Sequence, residues 1–90
     1  MVELSDLSVV NTSMSRSMLA EVTKNVRDVM NKFKTEKDIA NELKEIYDKK
    51  YGQYWHCVVG ETFGCFITHE SSSFVEVKSK DKTVLLFRTC

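Results

Sequence analysis

YWHCVVGETFGCFITHESSSFVEVKSKDKTVLLFR, residues 54–88, is the stretch that decides the fold. Its β-branched, aromatic and other apolar residues come in short runs, largely with a period of two, between segments rich in Gly, Ser and Lys. This pattern predicts strands, and the short links between them predict antiparallel neighbours. The four predicted strands are Tyr54–Val59, Phe63–His69, Phe74–Lys78 and Thr83–Arg88.

Two helices are predicted before this stretch. From about Ser15 to Lys34 the apolar residues recur at helical spacing, which is typical of an amphipathic helix. A second helix is predicted from Glu36 to Tyr51. Thr35 and Asp38 have the spacing of a capping box at its start, and Gly52 supplies its stop.

The order of the elements indicates the fold class. The segment 3–12 predicts a brief strand before the first helix. Two N-terminal helices followed by a run of strands indicate an α+β domain over residues 1–90, with the helices packed on a four- to five-stranded antiparallel sheet. A chain this short buries only about 60–65% of the surface that its unfolded form exposes, so oligomerisation would enlarge its core.

The composition excludes several classes of partner. Thirteen basic and 13 acidic residues give a net charge of zero, so there is no electrostatic case for nucleic acid or a membrane surface. The longest apolar run, Val84–Phe87, is far too short to span a bilayer, and no membrane insertion is expected. Three cysteines without a Cys-x-x-Cys motif favour a reducing compartment.

The chain is not expected to be an enzyme or to hold a metal or cofactor. His56 and Cys57 are neighbours in a predicted strand and therefore point to opposite faces. Cys65 and His69 lie about 13 Å apart along an extended strand, too far to share one zinc ion. A buried cysteine and a hydrogen-bonded core histidine are the simpler interpretations. A Cys–His enzyme or metalloprotein is kept as a third hypothesis.

The predicted strand Gly64–His69 points towards binding. It contains no Lys, Pro, Asp or Glu, and the next residue after it is Glu70. At the edge of a sheet it would lack the usual protection against pairing with another chain. It could then accept an extended peptide or pair with a second copy of itself. A central strand would show the same pattern, and the pattern alone does not separate the two.

Six short motifs follow one another along the chain. They are Glu36-Lys37-Asp38-Ile39-Ala40, Asp48-Lys49-Lys50-Tyr51, Trp55-His56-Cys57-Val58-Val59-Gly60, Phe63-Gly64, Thr68-His69-Glu70 and Leu85-Leu86-Phe87. In this order and spacing they resemble the eight-kilodalton cytoplasmic dynein light chains, and the resemblance extends over about residues 7–89.

The resemblance implies a non-enzymatic, homodimeric peptide-binding hub in the cytoplasm and the microtubule-associated cytoskeleton. In this family the strand after Gly60 crosses to the sheet of the partner. Two equivalent grooves then form between that strand and the second helix. Each groove takes a linear segment of a disordered partner as an added strand, often one with a central glutamine. The dynein intermediate chain is the expected partner.

The resemblance also implies site residues by position. Glu36 and Lys37, at the start of the second helix, would receive the glutamine, and His56 matches an interface histidine whose protonation favours the monomer. The peptide-binding residues expected are Asn11, Glu36, Lys37, Phe63, Gly64, Cys65, Phe66, Ile67, Thr68, His69, Phe74, Glu76 and Lys78. The dimer-interface residues expected are His56, Cys65, Phe66 and Thr68.

The chain departs from the family at the groove. Glu76 and Lys78 stand where tyrosine is common, and Val10 stands where a basic residue is common. Cys65 and Phe66 replace a common serine and a common tyrosine. Loss of two aromatic side chains removes apolar contact and polar tips, so we expect an altered peptide preference. The alternative is therefore a dedicated dimeric clamp or scaffold subunit, axonemal or cortical.

Overall fold

The computed structural model describes residues 2–61, 74–80 and 82–88. Two helices lie against one face of an antiparallel sheet whose strand order is β1-β3-β4-β2. The predicted α+β class is confirmed. The elements are a short 3-10 helix Leu4–Asp6, β1 Ser8–Thr12, α1 Arg16–Lys32, α2 Glu36–Tyr51, β2 Trp55–Gly60, β3 Phe74–Lys78 and β4 Thr83–Arg88.

Helix α1 begins at a serine cap and buries one stripe of valines. The Ser15 hydroxyl accepts a hydrogen bond from the Met18 backbone N–H at 3.3 Å, which satisfies one of the unpaired donors of the first turn. The apolar stripe predicted from spacing faces the core, and its fully packed members are Val22, Val26 and Val29. The predicted helix is confirmed, with its end two residues earlier than expected.

Helix α2 has the bounds that the sequence predicts. At its start the Thr35 hydroxyl accepts from the Asp38 backbone N–H at 3.2 Å. At its end Gly52 adopts φ +86° and ψ 171°, a region of backbone conformation that is essentially reserved for glycine. Acidic residues in the first turn and lysines in the last turn complement the helix dipole. Ile39, Leu43 and Tyr47 face the core.

Strands β1 to β4 lie at or within one or a few residues of the positions predicted from the sequence pattern. Strands β3 and β4 have the predicted bounds, β2 lies one residue later than expected, and β1 confirms the brief N-terminal strand. The predicted strand Phe63–His69 lies outside the described residues. Side chains on the helix side of the sheet form the core with the helices, and those fully buried there are Trp55, Val75, Val77, Val84 and Leu86.

A chain of aromatic and polar contacts fixes α2 between α1 and the sheet. The Tyr47 ring lies 5.1 Å from the Trp55 ring, centroid to centroid. The Asn25 side-chain amide donates to the Tyr47 hydroxyl at 2.9 Å, and burial raises the pKa of Tyr47 to about 12. Tyr47 therefore stays protonated at neutral pH, and its side chain contacts both α1 and β2.

Candidate interaction surface

The face of the sheet that points away from the helices, called the outer face below, is built from cross-strand rows. Because side chains alternate along a strand, every second residue of β2, β3 and β4 belongs to this face. In β1, where the register shifts, Ser8 and Asn11 align with it. The strand register aligns these residues in three rows: His56, Phe87 and Phe74; Val58, Leu85, Glu76 and Asn11; and Gly60, Thr83, Lys78 and Ser8.

One half of the outer face, next to β2, is apolar. The His56 and Phe87 rings stack, with centroids 5.3 Å apart and planes inclined by 24°. Val58 leaves 48% of its surface exposed, whereas Leu85 beside it is only 4% exposed. Val58 thus exposes apolar surface next to the partly exposed Phe87 ring, and apolar side chains grouped on one face mark an interaction surface more often than scattered ones do. This half is suited to contact with another apolar surface.

The other half of the outer face, next to β1, is polar. Asn11 lies opposite Glu76 in the register of β1 and β3. Phe74 and Lys78 flank Glu76 on the same face of β3, because they are two residues away on either side. The structure thus brings four of the predicted groove residues together on one surface.

A bulge distorts the β1 edge beside these residues. The register shifts between Val9 and Asn11, so Val10 is the extra residue. Its side chain is 55% exposed. Bulges twist an edge strand and discourage pairing along it. Val10, expected at the rim of the groove, is therefore an exposed apolar residue on an interrupted edge.

The start of α2 holds two more predicted groove residues. The Glu36 carboxylate pairs with Lys82 Nζ at 3.3 Å, and Lys37 is exposed. Lys82 immediately precedes β4, so this pair joins the start of α2 to the turn that follows Lys78. Glu36 and Lys37 belong to the helix layer, whereas the β3 candidates lie on the outer face.

The histidine and cysteine of β2 have different surroundings, as the predicted strand requires. Cys57 points towards the helices, and burial raises the pKa of its thiol to about 12, which makes it a poor nucleophile. His56 is exposed on the outer face. The interpretation of His56 as a core histidine is therefore wrong. Within residues 2–61, 74–80 and 82–88, no three His, Cys, Asp or Glu side chains are grouped as metal ligands.

Part of the predicted site cannot be compared with the structure. Its residues Phe63, Gly64, Cys65, Phe66, Ile67, Thr68 and His69 lie outside the described part of the chain, and their roles stay predictions. Sequence reasoning also missed Val58, Leu85 and Phe87 on the outer face. The continuous apolar run in β4 was the available signal, because a strand covered on both faces loses its alternation.

Comparison with known proteins gives concordant similarities. Residues 6–89 match the family model of dynein light chain type 1. Over 79 residues the chain is 39% identical to "Dynein light chain, cytoplasmic" of Emericella nidulans, covering 88% of this chain and 84% of that one.

Solved structures show the same architecture. The dynein light chain-like domain of the Fasciola hepatica calcium binding protein FhCaBP2 superposes with a TM-score of 0.81 at 27% identity, covering 96% of this chain and 94% of that chain. The DLC like domain of CsTAL3 superposes with a TM-score of 0.77 at 15% identity, covering 93% of each chain, which is a likeness of fold alone.

Proposed function

The chain belongs to the dynein light chain type 1 family, and from this premise we propose that it is a non-enzymatic, homodimeric adaptor for linear segments of disordered partners. The observation that carries the proposal is the outer face, where an apolar half next to β2 adjoins a polar half that collects four expected groove residues. One surface can thus serve both self-association and recognition of a segment.

The apolar half supports the dimer. Val58 is half-exposed at the β2 end of the row that continues into Leu85, and the His56–Phe87 stack lies beside it. A second copy covering this half would add apolar burial to a thin core. The strand Phe63–His69 follows β2 directly and would cross to the partner, together with the interface residues Cys65, Phe66 and Thr68.

The polar half and the start of α2 support the peptide groove. Asn11, Phe74, Glu76 and Lys78 would line it, and the strand 63–69 would pair with the bound segment by backbone hydrogen bonds. Glu36 and Lys37 would receive its glutamine, because the first turn of a helix carries unpaired backbone N–H groups. The whole chain would form one dynein light chain domain.

Family membership also supports a partner and a location. The Emericella nidulans relative is named as a cytoplasmic dynein light chain. We extend that location to this chain, in the cytoplasm and on the microtubule-associated cytoskeleton, with the dynein intermediate chain as its first partner. No helix of the described residues has both the length and the apolar character needed to cross a membrane.

The charged residues of β3 favour a second candidate function. Glu76 is half-buried in the row between Leu85 and Asn11, and Lys78 lies one row further. A carboxylate and an ammonium group select for complementary charge and against apolar residues. The same dimer would then be a dedicated clamp for one axonemal or cortical partner.

A calorimetric titration tests the adaptor function. We expect a glutamine-centred peptide of the dynein intermediate chain to bind with one site per chain, and the same peptide with alanine for glutamine to bind more weakly. In labelled protein the shifts should concentrate at Phe74 and residues 63–69. The double variant Glu76→Tyr/Lys78→Tyr should bind more tightly, because it restores two aromatic contacts.

The outcomes separate the candidates. If the titration shows no heat and no shifts at those residues, the motor-linked adaptor is excluded. The clamp predicts a single dominant partner in affinity capture with mass spectrometry, whereas the adaptor predicts many unrelated ones.

A further inference from the structure

A groove lies where the two helices meet, away from the outer face. The end of α1, the start of α2 and the β3–β4 turn border an open cavity of about 180 Å³. An adjoining recess of about 380 Å³ shares three of its lining residues and continues it along α1. We call this feature the helix-junction groove, and define it by Val2, Met30, Phe33, Lys34, Ile39 and Lys82.

The walls of the groove are held by specific contacts. Ile39 is 2% exposed and belongs to the core, and Met30 and Phe33 pack against that core. Val2 is tied down by a pair of hydrogen bonds. Its backbone N–H donates to Asn31 Oδ1 at 2.8 Å, and its carbonyl accepts from Asn31 Nδ2 at 3.0 Å. The groove is thus preformed, which reduces the entropic cost of filling it.

The charges around the groove are predominantly positive. Lys34 and Lys82 line it, and no acidic residue does among the described residues. Lys82 is already paired with Glu36 at 3.3 Å. Lys34 takes part in none of the ion pairs of the described part of the chain. The Lys32 ammonium adds charge nearby, 5.5 Å from the centroid of the Phe33 ring. An occupant should therefore carry a negative group at the Lys34 side.

We propose that the helix-junction groove is a second docking site, for a partner segment that presents an aromatic side chain next to an acidic residue. The cavity volume suits a single ring, since an apolar cavity of about 150 Å³ takes benzene. The ring would lie between Met30, Phe33 and Ile39, and the carboxylate would pair with Lys34. The adjoining recess of about 380 Å³ leaves room for the backbone of a segment beside the ring, which favours a peptide over a free small molecule.

This site is distinct from the peptide groove proposed above, although the Lys82–Glu36 ion pair connects the two. Its residues are on the helix layer and the β3–β4 turn, and none of its six defining residues is among those expected to line the peptide groove. A partner could engage both sites at once, and the linked contacts would raise its apparent affinity.

Methyl and aromatic NMR of the full chain tests the proposal. The probe is acetyl-Gly-Phe-Asp-Gly-amide, and we expect saturable shifts at the Met30 and Ile39 methyls and the Phe33 ring at millimolar peptide. The Asp→Asn peptide should bind about two- to fivefold more weakly, the value of one exposed ion pair. Lys34→Gln should cause a similar loss, while Lys24→Gln, at an exposed lysine of α1, should cause none.

Three results would overturn the proposal. They are the absence of shifts at those three residues, equal binding of the Asp and Asn peptides, and an equal loss in the Lys24 and Lys34 variants. Both lysines are exposed, so neither substitution should impair folding. Because the glutamine-centred peptide is titrated separately and reports at Phe74, failure of one site is distinguishable from failure of the other.

Discussion

Asp48 joins the last turn of α2 to the first residue of β2. One carboxylate oxygen accepts from Lys44 Nζ, four residues earlier on the helix, and the other accepts from the Trp55 backbone N–H at 2.9 Å. Both hydrogen bonds lower the pKa of the Asp48 carboxyl, and the bond from Lys44 has the larger effect. A single side chain thus fixes the point at which the chain leaves α2 and enters the sheet.

We predict that Asp48→Asn destabilises the fold at neutral pH and that the loss shrinks in acid. The folded carboxyl titrates below its ordinary pKa, so its charge stabilises the fold above about pH 4 and this contribution is lost as the pH falls through the folded value. Asparagine keeps an oxygen for the Trp55 N–H but offers Lys44 no charge. Urea-unfolding midpoints at about pH 7 and about pH 3 measure the difference.

The control is Glu45→Gln, which removes an exposed carboxylate from the same helix. It should leave the midpoint nearly unchanged at both pH values. A difference between Asp48→Asn and the original protein that is equal at both pH values would show that the charge of Asp48 does not stabilise the fold.

At the scale of single elements, α2 shows why local signals suffice for some predictions. Its start depends on the Thr35 hydroxyl and its end on the positive φ of Gly52. Both capping residues are adjacent in sequence to the helix that they cap, so the sequence predicts both of its bounds. Strand β2 has no comparable cap, and its predicted start was one residue early. Hydrogen bonds to β4 decide where it begins, with Trp55 paired to Arg88.

We predict that Thr35→Ala lowers the free energy of unfolding by about 1 kcal/mol, the usual cost of losing an N-cap hydroxyl. Thr35→Ser keeps the oxygen that accepts from the Asp38 N–H and should retain most of the stability. Equilibrium urea denaturation of the three proteins at one concentration measures both values. Equal stability of the alanine variant and the original protein would mean that water replaces the cap without cost.

At the scale of the whole molecule, the sheet separates the core from an outer face that is apolar in its half next to β2. Helices cover one side, where the core lies. The outer face has Val58 half-exposed and Leu85 nearly buried on adjacent strands. Strand β4 lies between β3 and β2 and contributes to both the core and that apolar half. A continuous apolar run in the sequence is the consequence.

We predict that Val58→Asp yields a monomer. In the proposed dimer its carboxylate would be buried in an apolar interface without a partner, which costs several kcal/mol. Sedimentation velocity at micromolar concentration should show a dimer for the original protein and a monomer for the variant. Val10→Asp, at a comparably exposed valine on β1, should remain dimeric. A dimeric Val58→Asp variant would move the interface away from the outer face.

The sequence by itself determined both helices, strands β3 and β4, the fold class and the family resemblance, because caps, periodicity and ordered motifs depend on residues close together in the chain. Only the tertiary structure decided the sheet order, the register that aligns Asn11 with Glu76, the outward direction of His56, and the helix-junction groove. Each of these joins residues that are distant in sequence. Their contacts follow from which strand pairs with which and how the helices pack on the sheet, and no local pattern encodes those choices.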